Sequence, residues 1–186
     1  MRDPNAVGEE VLFPEKREVR ILVISDSHGE NGNLRYAIGQ VLPVDLLLHL
    51  GDVEGDLARI LGAAPPYLVR CVRGNMDTGR YPALLLLSIC GHRIFAAHGD
   101  RYGVRMSPER ISLAAREQGA DVVCYGHTHV PVCETGNGIL LLNPGSISRP
   151  RLGKKSYAVL TLREGEPPAA ELFTIPDRIP ARWELH

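Results

Sequence analysis

The feature that most constrains this chain is a repeated local pattern: an apolar run of strand length that stops at a residue able to hold a metal or a proton. Val19–Ser25 (VRILVIS) leads into Asp26-Ser27-His28, Val44–Leu50 (VDLLLHL) into Gly51-Asp52, and Tyr67–Val72 into Gly74-Asn75. Short apolar runs bounded by turn residues read as buried strands. The stretches between them, Asn33–Leu42 and Gly55–Leu61, read as helices. The order β-α-β-α-β implies parallel strands joined by crossover helices. Such strands end at one edge of their sheet, and that edge is where α/β sheets bind ligands.

The second half changes character. Ala83–Cys90 and Arg93–Ala97 flank Gly91-His92 and read as a hairpin. Ser107-Pro108-Glu109 has the form of a helix start, with a Ser cap and Pro in the first turn, and the helix is expected to reach Gln118. Asp121–Tyr125 reads as a further strand. Val130–Glu134, Gly138–Leu142, Ser156–Arg163 and Ala169–Ile175 read as antiparallel strands. The expectation is one mixed α/β domain over residues 19–175, with strands enough for two sheets. Residues 1–18 read as a loose N-terminal extension and residues 176–186 as an irregular C-terminal tail.

Composition narrows the function. A chain of 186 residues is expected to form one domain. Its 21 basic and 22 acidic side chains give a formal net charge of -1. That balance argues against a broad electrostatic footprint for nucleic acid or for acidic membranes, and leaves room for a local anion site. No apolar run approaches the length of a membrane helix. The N-terminus carries Asp3, Glu9, Glu10, Glu15 and Glu18 without an apolar stretch, so it does not read as a signal peptide. Cys71, Cys90, Cys124 and Cys133 form no C-x-x-C pair and read as reduced thiols, so a cytoplasmic location is expected.

Seven polar residues follow strand ends: Asp26, His28, Asp52, Asn75, His98 after RIFAA, and His127 and His129 after DVVCYG. Taken singly, each has a plain structural reading as a turn residue, a helix cap or a core histidine. Gly126-His127-Thr128-His129 is more specific, because histidines two apart on an extended segment meet one site from one face. If the strands lie side by side, all seven converge. The mixture of imidazole and carboxylate suits transition metals rather than calcium. Seven ligands exceed what one ion takes from protein, and a shared carboxylate would let them hold two. Two divalent ions, two aspartates and a hydroxide leave about one positive charge, a trap for an anionic phosphate ester.

The set D-S-H-G, G-D, G-N-M-D, H-G and G-H-T-H, followed by N-P-G-S at Asn143–Ser146, resembles the calcineurin-like metallophosphoesterase superfamily. Within it, the compact size and the G-N-x-D and N-P-G-S segments resemble the small single-domain YfcE-type phosphodiesterases. The resemblance covers residues 19–175. It implies an α/β fold, a four-layer α-β-β-α sandwich of two mixed β-sheets. It implies that Asp26, His28, Asp52 and His129 hold one metal, that Asp52, Asn75, His98 and His127 hold the other, and that Asp52 bridges. The implied activity is hydrolysis of a small phosphodiester, with a metal-bound hydroxide attacking phosphorus. Mn is the metal expected first, with Ni, Fe, Co or Zn as alternatives. Asn75 and Asp77 are the expected catalytic residues.

Two departures from the resemblance stand out. Many phosphatases of the superfamily place His directly after the motif Asn to assist the leaving group; here the residue is Met76, which has no proton to give. Close relatives often read H-G-H where this chain has His98-Gly99-Asp100. Arg101, Arg149 and Arg151 are further candidates for phosphate contacts. Strong nucleic-acid binding is not expected, and a homo-oligomer is left open. The competing function is a non-catalytic metal-binding scaffold of the same fold acting in protein–protein interaction, as in a retromer subunit; a nuclease is the third reading.

Overall fold

The structure, a computed structural model, describes residues 8–62, 64–78 and 81–183. Its strands form two sheets. The five-stranded sheet comprises β2 (Glu18–Ile24), β3 (Leu46–His49), β4 (Leu68–Cys71), β10 (Ser156–Arg163) and β11 (Ala169–Thr174), in the order β11-β10-β2-β3-β4. The six-stranded sheet comprises β1 (Glu9–Val11), β5 (Leu84–Ile89), β6 (His92–Ala97), β7 (Val122–Cys124), β8 (Pro131–Gly136) and β9 (Ile139–Pro144), in the order β1-β5-β6-β7-β9-β8. Three helices complete the described fold: α1 (Asn31–Val41), α2 (Leu57–Leu61) and α3 (Glu109–Glu117). None of them is long and apolar enough to cross a membrane.

Strand periodicity explains the layers. Successive side chains of a strand point to opposite faces. In β2, Val19, Ile21 and Val23 face the six-stranded sheet, while Leu22 and Ile24 join Leu34, Ala37 and Ile38 of α1. In β6, Ile94 and Ala96 enter the core between the sheets, while Phe95 and Ala97 pack with Ile111 and Ala115 of α3. Both faces of both sheets are thereby covered, and the result is the four-layer α-β-β-α sandwich of two mixed sheets. Ser107 Oγ accepts from the Glu109 N–H at 3.2 Å at the start of α3, but the N-cap position falls on Pro108, one residue later than the sequence implies.

The parallel strands fix the site. β2, β3 and β4 run parallel, and so do β6, β7 and β9. The parallel pairing of β7 with β9 corrects the expectation that the strands after Tyr125 are all antiparallel; β8 is antiparallel to β9, and β10 to both β2 and β11. The N-terminal reading is also corrected. Residues 1–7 lie outside the described residues, but Glu9–Val11 pairs in parallel with β5. Glu9 and Glu10 form ion pairs with Arg93 and Arg70, one cation on each sheet. The tail, whose residues 184–186 lie outside the described residues, is less irregular than expected. Ile175 and Ile179 are buried, and Ala181–Trp183 forms a 3-10 turn.

Trp183 rests on α1 at Gly39. A Cβ there would stand 2.0 Å from the indole ring. Helix propensity alone favours Gly39→Ala by about 1 kcal/mol, whereas overpacking costs about 1–3 kcal/mol. A clash this deep makes packing the larger effect. Gly39→Ala is therefore expected to lower Tm by about 2–8 °C and to shift the emission of this lone tryptophan to longer wavelength. A rise in Tm with unchanged emission would show that Trp183 does not dock on α1.

Candidate metal centre

The seven predicted donors meet at the carboxyl ends of the two parallel strand sets. Asp26 and His28 follow β2, Asp52 follows β3, Asn75 follows β4, His98 follows β6, and His127 and His129 follow β7. Asp26, His28, Asp52, His127 and His129 all have positive φ, between 45° and 66°. Non-glycine residues visit that region rarely, at a cost of about 1–2 kcal/mol each. Bonds between the loops hold them there. Asp26 N–H donates to Gly51 O and His28 N–H to Asp52 O, both at 3.0 Å. His127 N–H donates to Asp26 Oδ2 at 3.1 Å. Gly126, just before the first histidine of the pair, permits this contact: a Cβ would lie 1.9 Å from Ser25 Oγ and 2.9 Å from Asp26 Oδ2.

Three imidazoles share one tautomer logic. His98 Nδ1–H donates to Leu50 O at 2.7 Å, His129 Nδ1–H to Arg149 O at 2.6 Å, and His28 Nδ1–H to Glu54 Oε1 at 2.9 Å. Each leaves Nε2 facing inward. His98 Nε2 then lies 3.2 Å from Asn75 Oδ1, 3.5 Å from Asp52 Oδ2 and 3.2 Å from His127 Nδ1. His129 Nε2 lies 3.0 Å from Asp26 Oδ1, and His28 Nε2 lies 4.0 Å from the same oxygen. Asp26 Oδ1 and His28 Nε2 are buried without a hydrogen-bond partner. Lone pairs brought face to face in this way require a cation between them, either a proton or a metal ion. Two nitrogens on one tetrahedral ion stand about 3.3 Å apart, given metal–nitrogen bonds of about 2.05 Å, close to the His98–His127 separation. The donor set therefore fits a divalent metal.

Among the described residues, two groups of donors have all their ligand atoms within 4.8 Å of one another: Asp26, His28 and His129, and Asp26, Asp52 and His98. Asp26 belongs to both groups, and Asp52 faces His98 through Oδ2 while its Oδ1 accepts from the Met76 N–H at 2.8 Å.

The electrostatics keep both aspartates ionised. Burial pushes the Asp26 carboxyl up, but the His129 hydrogen bond, the His98 charge and the Ser25 hydroxyl outweigh it and hold it below the usual carboxylate range. Burial likewise opposes ionisation of Asp52, and the His98 hydrogen bond and charge again prevail. The complement is seen on the imidazoles. Burial disfavours a charged His98, yet Asp52 and Asp26 raise its pKa; hydrogen bonding to Asp26 raises that of His129. Burial, together with the charges of His98 and Arg105, lowers that of His127.

Asp77 joins the loops around it. Its Oδ2 accepts from the N–H groups of Asp52 and Gly74 at 2.8 and 2.9 Å, and its Oδ1 from those of Val53 and Glu54 at 2.9 and 3.1 Å. Both oxygens accept from the backbone, so the Asp77 carboxylate ties the Asp52 loop to the Asn75 loop. Asn75 is exposed and keeps its amide NH2 without a partner among the described residues. Glu54 precedes α2, and its carboxylate orients His28.

Other supports went unread in the sequence. Ser146 and Ser148 hydroxyls both donate to Asp26 O, at 2.9 and 2.7 Å. Asn143 Nδ2 donates to Gly126 O at 3.0 Å. The signal available was the density of small polar residues in N-P-G-S-I-S after an apolar strand. Arg149 and Arg151 hold His129 through their backbones, while their side chains are exposed.

His49, on β3, is fully buried. Its Nδ1 accepts from the Gly51 N–H at 3.2 Å, so the proton is on Nε2, which donates to Ser27 Oγ at 3.0 Å. Burial holds its pKa down to about 4. Above pH 6.5 the ring is neutral in both folded and unfolded chains, and its full contribution to stability is present. As pH falls from 6.5 towards 4 the unfolded chain takes the proton first, and stability is lost. In metal-free protein, the fall in urea midpoint over that window is expected to be smaller in His49→Asn than in the unsubstituted chain. Equal falls would show that His49 titrates normally in the folded state.

Comparison with known proteins agrees with the geometry. The sequence profile of the calcineurin-like phosphoesterase superfamily domain matches residues 19–165. A probable metallophosphoesterase, YsnB of Bacillus subtilis, is 40% identical over 147 residues, which are 77% of this chain and 85% of the relative. The phosphodiesterase YfcE of Escherichia coli is 39% identical over 102 residues, about half of each chain at 50% and 52%. Among solved structures, a predicted phosphoesterase of Streptococcus pneumoniae superposes with a TM-score of 0.69 at 28% identity, covering 86% of this chain and 99% of that one. Vps29 of Entamoeba histolytica, crystallised with zinc, shares the fold at 21% identity, with a TM-score of 0.66 over 85% of this chain and 93% of its own. With the profile spanning most of the chain and the relative from Bacillus matched over most of its length, the chain belongs to the calcineurin-like phosphoesterase superfamily.

Proposed function

We propose that the protein is a dinuclear metal-dependent phosphodiesterase. The observation that carries this reading is the convergence of inward-facing Nε2 atoms and ionised carboxylates, with the buried Asp26 Oδ1 facing His129 Nε2 at 3.0 Å and His28 Nε2 at 4.0 Å. Asp26, His28 and His129 would hold one divalent ion. Asp52, His98, His127 and Asn75 would hold the second, with Asp26 adjoining both. Mn is the first expectation. Bound divalent ions supply a nucleophile from water at neutral pH and a Lewis acid for the phosphoryl oxygen.

The chain's own residues do the rest. Leu50 O, Arg149 O and Glu54 fix the tautomers of three ligating histidines. Asp77 locks the two loops that carry Asp52 and Asn75. The free amide NH2 of Asn75 is placed to donate to a phosphoryl oxygen. All four described cysteines are free thiols, which suits a reducing compartment such as the cytoplasm. The competing scaffold reading is disfavoured by the completeness of the donor set, since a purely structural surface has no use for unpartnered buried donors.

Metal-stripped protein reloaded with Mn is expected to hydrolyse bis-p-nitrophenyl phosphate in preference to p-nitrophenyl phosphate. Asp26→Asn and Asp52→Asn are each expected to reduce kcat/KM by at least about 100-fold, equivalent to about 2.7 kcal/mol. Absence of turnover with Mn, Ni, Fe, Co or Zn in folded, metal-loaded protein would favour the scaffold.

Met76 bears on the leaving group. Its side chain is 55% exposed and borders a hollow with Glu54 and Asp56. With no proton donor there, esters with acidic leaving groups are expected to be the better substrates. Met76→His is expected to raise turnover of alkyl esters relative to nitrophenyl esters; an unchanged ratio would count against a leaving-group role at this position.

A further inference from the structure

A hollow of about 310 Å³ opens beside the metal centre. Asn75 and His98 form one wall; Arg73, Asp100, Arg101 and Tyr102 form much of the rest. At about 30 Å³ per water-sized group it holds about ten non-hydrogen atoms. Arg73 follows β4 just before Asn75, and Arg101 sits on the 3-10 turn Asp100–Tyr102 that follows His98. Neither guanidinium pairs with a carboxylate among the described residues. Asp77, which also borders the hollow, has both oxygens committed to four backbone N–H groups. A separate hollow, lined by Met76 and Thr78, carries Glu54 and Asp56 instead.

Two arginines without partners, next to the reacting centre, match a second anion. A terminal phosphate carries about 1.5 to 2 negative charges at neutral pH and accepts bidentate bonds from guanidinium groups. Asp100 in the same wall is an acceptor only. It would repel a bare anion alone, but it suits a hydroxyl donor on the carbon skeleton that carries the phosphate.

Resting on the phosphodiesterase reading, we propose that this hollow takes a second phosphate on the retained side of the substrate. The substrate class is then a phosphodiester of a phosphorylated sugar or polyol. Arg73 and Arg101 hold the second phosphate.

The test compares two esters with one leaving group, the 5′-p-nitrophenyl esters of thymidine 5′-monophosphate and of thymidine 3′,5′-bisphosphate. With the Mn-loaded protein, the bisphosphate ester is expected to have about a 10- to 100-fold higher kcat/KM, the effect of one or two charge-assisted hydrogen bonds. Arg73→Gln with Arg101→Gln should bring that ratio close to one through KM. Arg59→Gln, which removes an exposed cation on α2, should leave it unchanged. Calorimetric titration should show the same preference for thymidine 3′,5′-bisphosphate over thymidine 5′-monophosphate, lost in the double variant. Turnover of both esters at equal kcat/KM, or a preference that survives the double variant, overturns the second-phosphate site alone. No metal-dependent turnover of either ester overturns the phosphodiesterase reading and this inference with it.

Discussion

The site depends on backbone held where side-chain-bearing residues rarely go. Five of the seven donor positions have left-handed φ, and Glu54, which orients His28, is a sixth such residue beside them. A left-handed residue at a strand end turns the chain sharply and brings its side chain back over the sheet edge. Without that turn, Asp26, Asp52 and His127 could not converge. Such residues persist only when their surroundings over-determine them. Here the surroundings are neighbouring loops: each strained residue is bonded to another loop's carbonyl, amide or carboxylate. The sheets beneath, with cores on both faces, keep those loops within reach.

Function and fold therefore divide the labour along each strand. The apolar alternation of β2, β3 and β6 sets which face packs on which layer. The residue after the strand then lies at an edge shared by both parallel sets. Asp77 illustrates the boundary between the two tasks. It sits among the donors in sequence, yet its carboxylate is occupied by four amides and organises the others. His49 does the same from below, a neutral ring joining the Ser27 and Gly51 loops.

Much of this was legible in the residues alone because strand length, turn chemistry and donor type reinforce one another. The donor positions after β2, β3, β4, β6 and β7 follow from that agreement, as do the two sheets. What was illegible depended on tertiary partners. Glu9–Val11 is three residues long and two of them are acidic, so no periodicity marks it; Arg70 and Arg93, far along the chain, pair with its carboxylates. Trp183 docks because α1 offers a glycine, a fact invisible from the tail. The parallel pairing of β7 with β9 follows from the excursion through β8, whose hairpin with β9 resembles any other. The order of donors says nothing of which carboxylate stands between the two groups.

Each donor group draws on both sheets. Asp26, His28 and Asp52 leave the five-stranded sheet, and His98 and His129 leave the six-stranded one. A cation in either group is thus a rivet between the two halves of the sandwich. Asp26 and His127 alone are separated by 101 positions, a loop whose closure is entropically costly in an unfolded chain. Metal supply would then set more than activity: it would govern how readily the two sheets slide or part, making ion availability a control on the lifetime of the folded chain.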